Sequence, residues 1–279
     1  MSCSEPGRAL AVLLLLLAGK AAAEHVVSLG LEADSENSKA VALLGSFGVA
    51  EDTWASISAS RSESRDRLFN LETWYLDLGI DHYFDPIGVR ASIAYWGDAE
   101  LLDSNDLSAA VYWKNERASL SLDYERRAFD LTIRSLLLDQ PRRVEFDADG
   151  IGLSARVELG EAVSVYANGM SYDYSRNISL TPNRDVLRVF ALSRLSMVNS
   201  LLDQRLSAGV EFSFGDRVLD LRAARWETAV FGDRVDALGI GLLTPLGPAS
   251  DLELRLETDD SDAAGRATLF SVFFYFYGD

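Results

Sequence analysis

Residues 118–125 have the sequence Ala-Ser-Leu-Ser-Leu-Asp-Tyr-Glu, in which apolar and polar side chains alternate strictly. In an extended chain Ala118, Leu120, Leu122 and Tyr124 share one face, and the intervening serine and acidic residues share the other. A period of two is typical of a β-strand with one apolar and one polar face. The stretch therefore predicts a strand rather than a helix.

The same alternation runs through the chain from Glu24 onward. It is found in segments 27–33, 41–49, 72–84, 87–95, 107–114, 153–158, 206–214, 252–257 and 268–277. Such segments suit strands that cross a bilayer in about 9–11 residues. Short turns alternate with longer polar links such as 97–106 and 259–266.

The strand count depends on two ambiguous regions. Residues 117–135 and 142–159 predict one long hairpin, bulged where the parity slips near Arg126-Arg127 and at 147–150. With that hairpin the chain has about 14 strands, and both termini lie on the short-turn side. Residues 184–203 carry apolar side chains at helical spacing and predict a short helix, with an extra hairpin arm or an irregular loop as alternatives. The count is then 12 or 16 under those alternatives.

Composition excludes several classes of protein. The chain has 279 residues, 48% of them hydrophobic, with 26 Lys and Arg, 43 Asp and Glu, a net charge of −17 and one Cys. These figures exclude disorder and a disulfide scaffold. Net negative charge without a basic stripe argues against binding to nucleic acid. The sequence shows no long repeat or linker, so residues 24–279 are expected to form a single domain.

The N-terminus resembles a secretory signal peptide. Arg8 precedes the apolar run 9–19, and Ala21-Ala22-Ala23 follow before Glu24. This order predicts cleavage after Ala23, so that residues 1–23 are removed. Eleven apolar residues are too few for a spanning helix, which needs roughly 20. The exported chain would contain no Cys, since Cys3 is the only one.

Alternation alone does not decide whether the apolar face meets a protein core or lipid. A barrel of about 14 strands is too wide for side chains to fill, whereas water fills it if the polar face lines the lumen. Aromatic residues lie near the ends of many apolar stripes, as they do in interfacial girdles. The last strand, 268–277, is strongly aromatic. These features favour an all-β transmembrane, antiparallel up-and-down barrel over a soluble β-sandwich.

On this pattern, residues 24–279 resemble a Gram-negative outer-membrane β-barrel. Such barrels usually end in an aromatic residue, and here Gly278-Asp279 follow Tyr277. By size and strand number the chain is similar to the small porins of about 14 strands. The resemblance implies outer-membrane lipids, lipopolysaccharide and the barrel-assembly machinery as partners, and a monomer.

The polar face carries more acidic than basic residues. Its acidic residues are Glu32, Glu72, Asp77, Asp81, Asp123, Glu125, Asp130, Glu158, Glu211, Asp220, Glu253 and Glu257. Its basic residues are Arg90, Arg134, Arg156, Arg222 and Arg255. The residues predicted to set selectivity are Glu32, Asp77, Asp81, Arg90, Asp123, Glu125, Arg156, Glu158, Glu211, Arg222, Glu253, Arg255 and Glu257. An acidic lumen favours cations. A cross-strand ion-pair ladder that only stiffens the barrel is the alternative.

No catalytic, metal or cofactor site is predicted. His25 and His82 have no nucleophile partner in sequence, and the acidic links lack the spacing of a calcium loop. The leading hypothesis is a porin-like passive channel for small polar solutes with weak cation preference, and not an enzyme. A closed structural or adhesion-type barrel and an outer-membrane lipid-modifying hydrolase are the alternatives.

Overall fold

A computed structural model of the chain describes residues 24–65, 70–98, 101–133, 142–177, 201–262 and 265–278. These residues form fourteen strands and no helix. The strands are β1 His25–Asp34, β2 Lys39–Ala50, β3 Thr53–Arg65, β4 Asn70–Tyr83, β5 Ile87–Asp98, β6 Leu102–Lys114, β7 Ala118–Ile133, β8 Arg142–Glu158, β9 Val163–Tyr174, β10 Leu202–Phe214, β11 Arg217–Thr228, β12 Arg234–Gly247, β13 Ser250–Ser261 and β14 Gly265–Gly278.

Each strand pairs antiparallel with its neighbours in sequence, and β1 pairs with β14 to close the sheet. The predicted 14-stranded up-and-down barrel is therefore confirmed. The start of β1 and the end of β14 lie on the side of the short turns, such as Gly215-Asp216, where Gly215 adopts a φ of 64° that suits glycine. No helix among the described residues is long and apolar enough to cross a membrane. The predicted signal peptide, 1–23, lies outside the described residues.

The predicted helix over 184–203 falls largely outside the described residues as well. Its last two positions, Leu202 and Asp203, are the first residues of β10.

The outer surface of the barrel is apolar. Outward side chains include Leu120 and Leu122 on β7, Ile151 on β8 and Leu238 on β12, which are 52%, 55%, 65% and 70% exposed. A soluble monomer does not normally expose so large a continuous apolar surface, whereas a lipid-facing barrel wall requires one. The alternating positions on the same strands point inward and are mostly serine, charged residues, glycine and tyrosine.

The β7–β8 hairpin contains no bulge, so the predicted slip of parity is wrong. Pairing is continuous from Ala118 with Val157 to Ile133 with Arg142. Toward the long-loop end of β7 the two faces exchange character. The inner face becomes apolar at Phe129 and Leu131, and the outer face becomes polar. The apolar side chains therefore move from the outer face to the inner face while the strand pairing stays regular.

Several strands also extend further than predicted on the long-loop side. The predicted link 97–106 is mostly strand, because β5 continues to Asp98 and β6 begins at Leu102. The ladder persists where the outer face is polar and the inner face carries Trp96 and Leu102, since backbone hydrogen bonds do not depend on an outward apolar stripe.

Candidate channel lumen

The inner face of the barrel encloses a large polar cavity on the short-turn side. Its volume is about 1730 Å³, and it is lined by β2 to β10 and by the turns that join them. Serines, carboxylates and Arg residues dominate its wall, with Asp77, Asp81, Asp123, Arg90 and Arg156 among them. A cavity of this polarity holds water and dissolved ions rather than apolar ligands.

The strand registers place all thirteen residues predicted to set selectivity on the inner face. They are Glu32, Asp77, Asp81, Arg90, Asp123, Glu125, Arg156, Glu158, Glu211, Arg222, Glu253, Arg255 and Glu257. Asp220 is also inward and accepts a hydrogen bond from the Tyr166 hydroxyl.

Two further acidic residues assigned to the lumen face outward. Glu72 forms a bidentate pair with outward Arg61, at 2.9 and 2.8 Å, and Asp130 pairs with outward Arg143. Both lie where the inner face is apolar, beside inward Leu71 in one case and between inward Phe129 and Leu131 in the other. Arg134 lies outside the described residues.

Four inward Arg residues pair with inward carboxylates. Arg90 lies 2.9 Å from Asp81, and Arg222 lies 2.7 Å from Glu257. Arg255 lies 2.5 Å from Glu253 on the same strand.

The fourth pair spans three strands. Nη1 of Arg156 on β8 lies 2.9 Å from Glu211 on β10, and Ser164 on the strand between them also donates to Glu211. The predicted ion-pair ladder therefore exists, and it neutralises the Arg residues.

Three cavity carboxylates form no direct ion pair with the described residues. Asp123 accepts hydrogen bonds from Ser121 at 2.9 Å and Ser154 at 3.2 Å, and no Lys or Arg of the described chain lies within 4 Å of Asp77, Asp123 or Glu158. Hydroxyl groups orient a carboxylate without cancelling its charge. With Lys114, Arg117 and Arg205 counted, the cavity lining holds seven acidic and five basic residues, so its net charge is negative.

Three inward tyrosines, Tyr112, Tyr166 and Tyr172, lie flat along the wall, and each crosses a glycine of the next strand to reach a carboxylate two strands away. Tyr112 crosses Gly88 and donates to Asp81 at 2.6 Å. Tyr172 crosses Gly150 and donates to Glu125 at 2.6 Å. A glycine is required beneath each ring, because a methyl group on Gly88 would lie 2.0 Å from the Tyr112 ring.

An inward apolar cluster was not predicted from the sequence. It lies on the long-loop side of the cavity, and its fully buried members are Leu71, Trp96, Leu102, Phe129, Leu131, Phe146, Ala148, Leu201 and Val230. Arg127 lies at the edge of this cluster with none of its side chain exposed. The available signal was the unbroken inward parity from Ser119 to Leu131.

Neither His lies on the cavity wall. His25 and His82 face outward at the short-turn rim, where His82 Nδ1 lies 2.7 Å from the Thr53 hydroxyl and its ring packs edge-on against Phe84. In the described part of the chain, no three His, Cys, Asp or Glu side chains are grouped to hold a metal ion.

A closed antiparallel barrel with an apolar outer wall around a polar cavity has the architecture of the β-barrels that span membranes. The chain is similar in fold to the CymD monoaromatic hydrocarbon channel, with 10% identity, a TM-score of 0.59, and coverage of 92% of this chain and 88% of that one. It is also similar to the outer membrane protein Omp33 of Acinetobacter baumannii, with 10% identity, a TM-score of 0.50, and coverage of 91% and 97%. No protein-family model and no curated protein sequence match the chain. At these identities the likeness concerns the fold.

Proposed function

We propose that the protein is a porin-like channel that lets small polar solutes cross the membrane passively, with a weak preference for cations. The observation that carries the proposal is the water-accessible cavity, whose lining holds seven acidic and five basic residues, and in which Asp77 and Asp123 form no ion pair with the described residues. Such an excess concentrates cations inside the lumen and repels anions. The similar folds of two membrane barrels support the same class of function.

The same proposal assigns the protein to the Gram-negative outer membrane. Its chain would be exported by a signal peptide over 1–23, cleaved after Ala23, and the aromatic last strand would engage the barrel-assembly machinery. Outer-membrane lipids and lipopolysaccharide would contact the apolar wall, and a single closed chain suits a monomer. The selectivity residues would be the thirteen inward charges named above.

Planar-bilayer recording on refolded residues 24–279 tests the channel. We expect discrete conductance steps in potassium chloride. In a salt gradient we expect a reversal potential whose sign shows that cations permeate more readily than anions. A preference for anions, or a bilayer that stays silent even with the variants described in the next section, would contradict the proposal.

A lipid-modifying hydrolase is the enzymatic alternative, and it would depend on His82. The His82 ring contacts Thr53 and Phe84 at the lipid-facing rim, and neither is a serine nucleophile. We propose that the protein has no hydrolase activity. Incubation with radiolabelled phospholipid or lipopolysaccharide should release no acyl chain, and release that His82→Ala abolishes would reverse this assignment.

A further inference from the structure

The inner wall changes from polar to apolar at one level of the barrel. On β7, Ser119 to Glu125 line the polar cavity, and the next inward residues, Arg127, Phe129 and Leu131, are 0%, 2% and 2% exposed. On β4 the cavity residues Asp77 and Tyr75 are followed by Thr73 and then Leu71, both 4% exposed. The polar cavity therefore ends where the apolar cluster begins.

The apolar cluster extends over half of the barrel. Its members come from β4 to β8 and from the links that follow β9 and β11, and in a ring of fourteen strands β4 lies opposite β11. The two links are joined, because the Ala229 amide donates a 2.9 Å hydrogen bond to the Leu201 carbonyl. Rings within the cluster stack closely, with 4.8 Å between the centroids of Phe129 and Phe146.

Arg127 lies at the boundary between the cavity and the cluster. Its guanidinium carbon lies 4.8 Å from the ring centroid of Phe129, 5.5 Å from that of Trp96 and 5.9 Å from that of Tyr172. Its Nε lies 3.4 Å from Asp106 and 3.9 Å from Glu125. A cation desolvated to this extent is retained only where carboxylates and aromatic faces enclose it.

We propose that the apolar cluster, fixed by Arg127, is the permeability barrier of the channel, and that it closes the polar cavity toward the long-loop side. Apolar constrictions stop ions by excluding water, even where the backbone wall leaves space. Solutes would enter the cavity freely from the short-turn side and would pass further only when the cluster moves. This inference rests on the proposed channel function.

Removing aromatic rings from the cluster should open the barrier. We expect Phe129→Ala and Trp96→Ala to raise the single-channel conductance or the open probability by twofold or more. Phe273→Ala is the matched control, because Phe273 is also inward, also buried, and also packs under an Arg, with Arg255 5.1 Å away, but it lies outside the cluster. The control should conduct like the unchanged protein.

Cysteine accessibility gives a second measurement that needs no ring removal. Because Cys3 precedes the predicted cleavage site, the refolded chain 24–279 has no Cys, and Ser119→Cys places one thiol in the cavity. A charged, membrane-impermeant thiosulfonate is added to either chamber of the bilayer. Glu36→Cys and Glu116→Cys, in exposed turns on the long-loop and short-turn sides, establish the orientation.

We expect Ser119→Cys to react about tenfold more slowly from the long-loop side than from the short-turn side, which corresponds to about 1.4 kcal/mol of added barrier. Adding Phe129→Ala should remove that difference. If Ser119→Cys reacted equally fast from both sides in the otherwise unchanged barrel, the proposal that the apolar cluster is the barrier would be wrong. The proposed channel function would not be affected by that result. If no variant conducts and folding is verified by heat-modifiable gel mobility, the channel function itself fails.

Discussion

The hydroxyl of Tyr166 donates a 2.8 Å hydrogen bond to Asp220, which lies two strands away. Between them the ring crosses Gly209 on β10. Tyr112 and Tyr172 make the same arrangement elsewhere on the wall. Each tyrosine therefore ties three strands together and stays out of the lumen, which keeps the polar cavity wide.

Replacing the glycine under such a ring should displace the tyrosine. In Gly209→Ala the new methyl group would lie 2.4 Å from the Tyr166 ring, so the ring must swing into the lumen and give up its bond to Asp220. We expect a loss of about 1–3 kcal/mol in the free energy of unfolding, the usual range for overpacking. Urea unfolding in detergent micelles measures it.

Gly241→Ala is the control for that experiment. Gly241 is also inward, but an added methyl group would meet its nearest atom at 3.5 Å, an ordinary contact. A second variant, Tyr166→Phe, removes only the hydroxyl and should cost about 1–2 kcal/mol. If Gly209→Ala were as stable as Gly241→Ala, the tyrosine would not depend on the glycine.

Adjacent residues on β7 test which face meets lipid. Leu122→Arg places a charge on the apolar outer wall and should cost about 2–4 kcal/mol if it lies near the bilayer midplane. Ser121→Arg places the same charge beside inward Asp123 and should cost less than about 1 kcal/mol. Equilibrium refolding into lipid vesicles compares the two, and equal costs would contradict the assignment of the faces.

The unpaired carboxylates should set the ion preference. At about 10 Å in water a single charge favours a cation and disfavours an anion by about 0.4 kcal/mol each, so Asp77→Asn and Asp123→Asn should each lower the cation-to-anion permeability ratio by about fourfold. Glu72→Gln and Asp130→Asn are the controls, because both carboxylates face outward and are paired with Arg. Reversal potentials in a salt gradient give the ratios. If the outward variants changed the permeability ratio as much as the inward ones, the ion preference would not depend on the charges being inside the lumen.

Export should remove the first 23 residues. Intact-mass measurement of protein from the outer membrane should give a chain beginning at Glu24, since Ala21-Ala22-Ala23 supplies the small residues that a signal peptidase requires. Ala21→Leu with Ala23→Leu should leave the precursor uncleaved. A mature protein that retains Arg8 would show that this segment is not removed.

The fold could be predicted from sequence wherever one face of a strand is apolar. Strict alternation, as in 118–125, fixes parity, and parity then places each charged neighbour on the inner wall. For this reason all thirteen predicted selectivity residues face inward. Glu72 and Asp130 were misplaced because the flanking residues Leu71, Phe129 and Leu131 are apolar but point inward. A rule that assigns apolar side chains to lipid therefore places the acidic residue beside them in the lumen.

The apolar cluster could not be predicted in the same way. Phe129 and Leu131 are apolar and point inward. A rule that assigns apolar side chains to lipid predicts that they point outward, and that prediction requires a bulge in the strand. The partners of Arg127 come from other strands, with Asp106 on β6 and Trp96 on β5. Only the register of the closed sheet brings them together.

The tyrosine and glycine pairs restrict the order in which this wall can change by mutation. While Tyr166 is present, any side chain larger than hydrogen at Gly209 collides with it, whereas loss of the tyrosine first leaves the glycine free to vary. The tyrosine must therefore be replaced before the glycine can be. Two positions on neighbouring strands, 43 residues apart in the chain, behave as a single inherited unit.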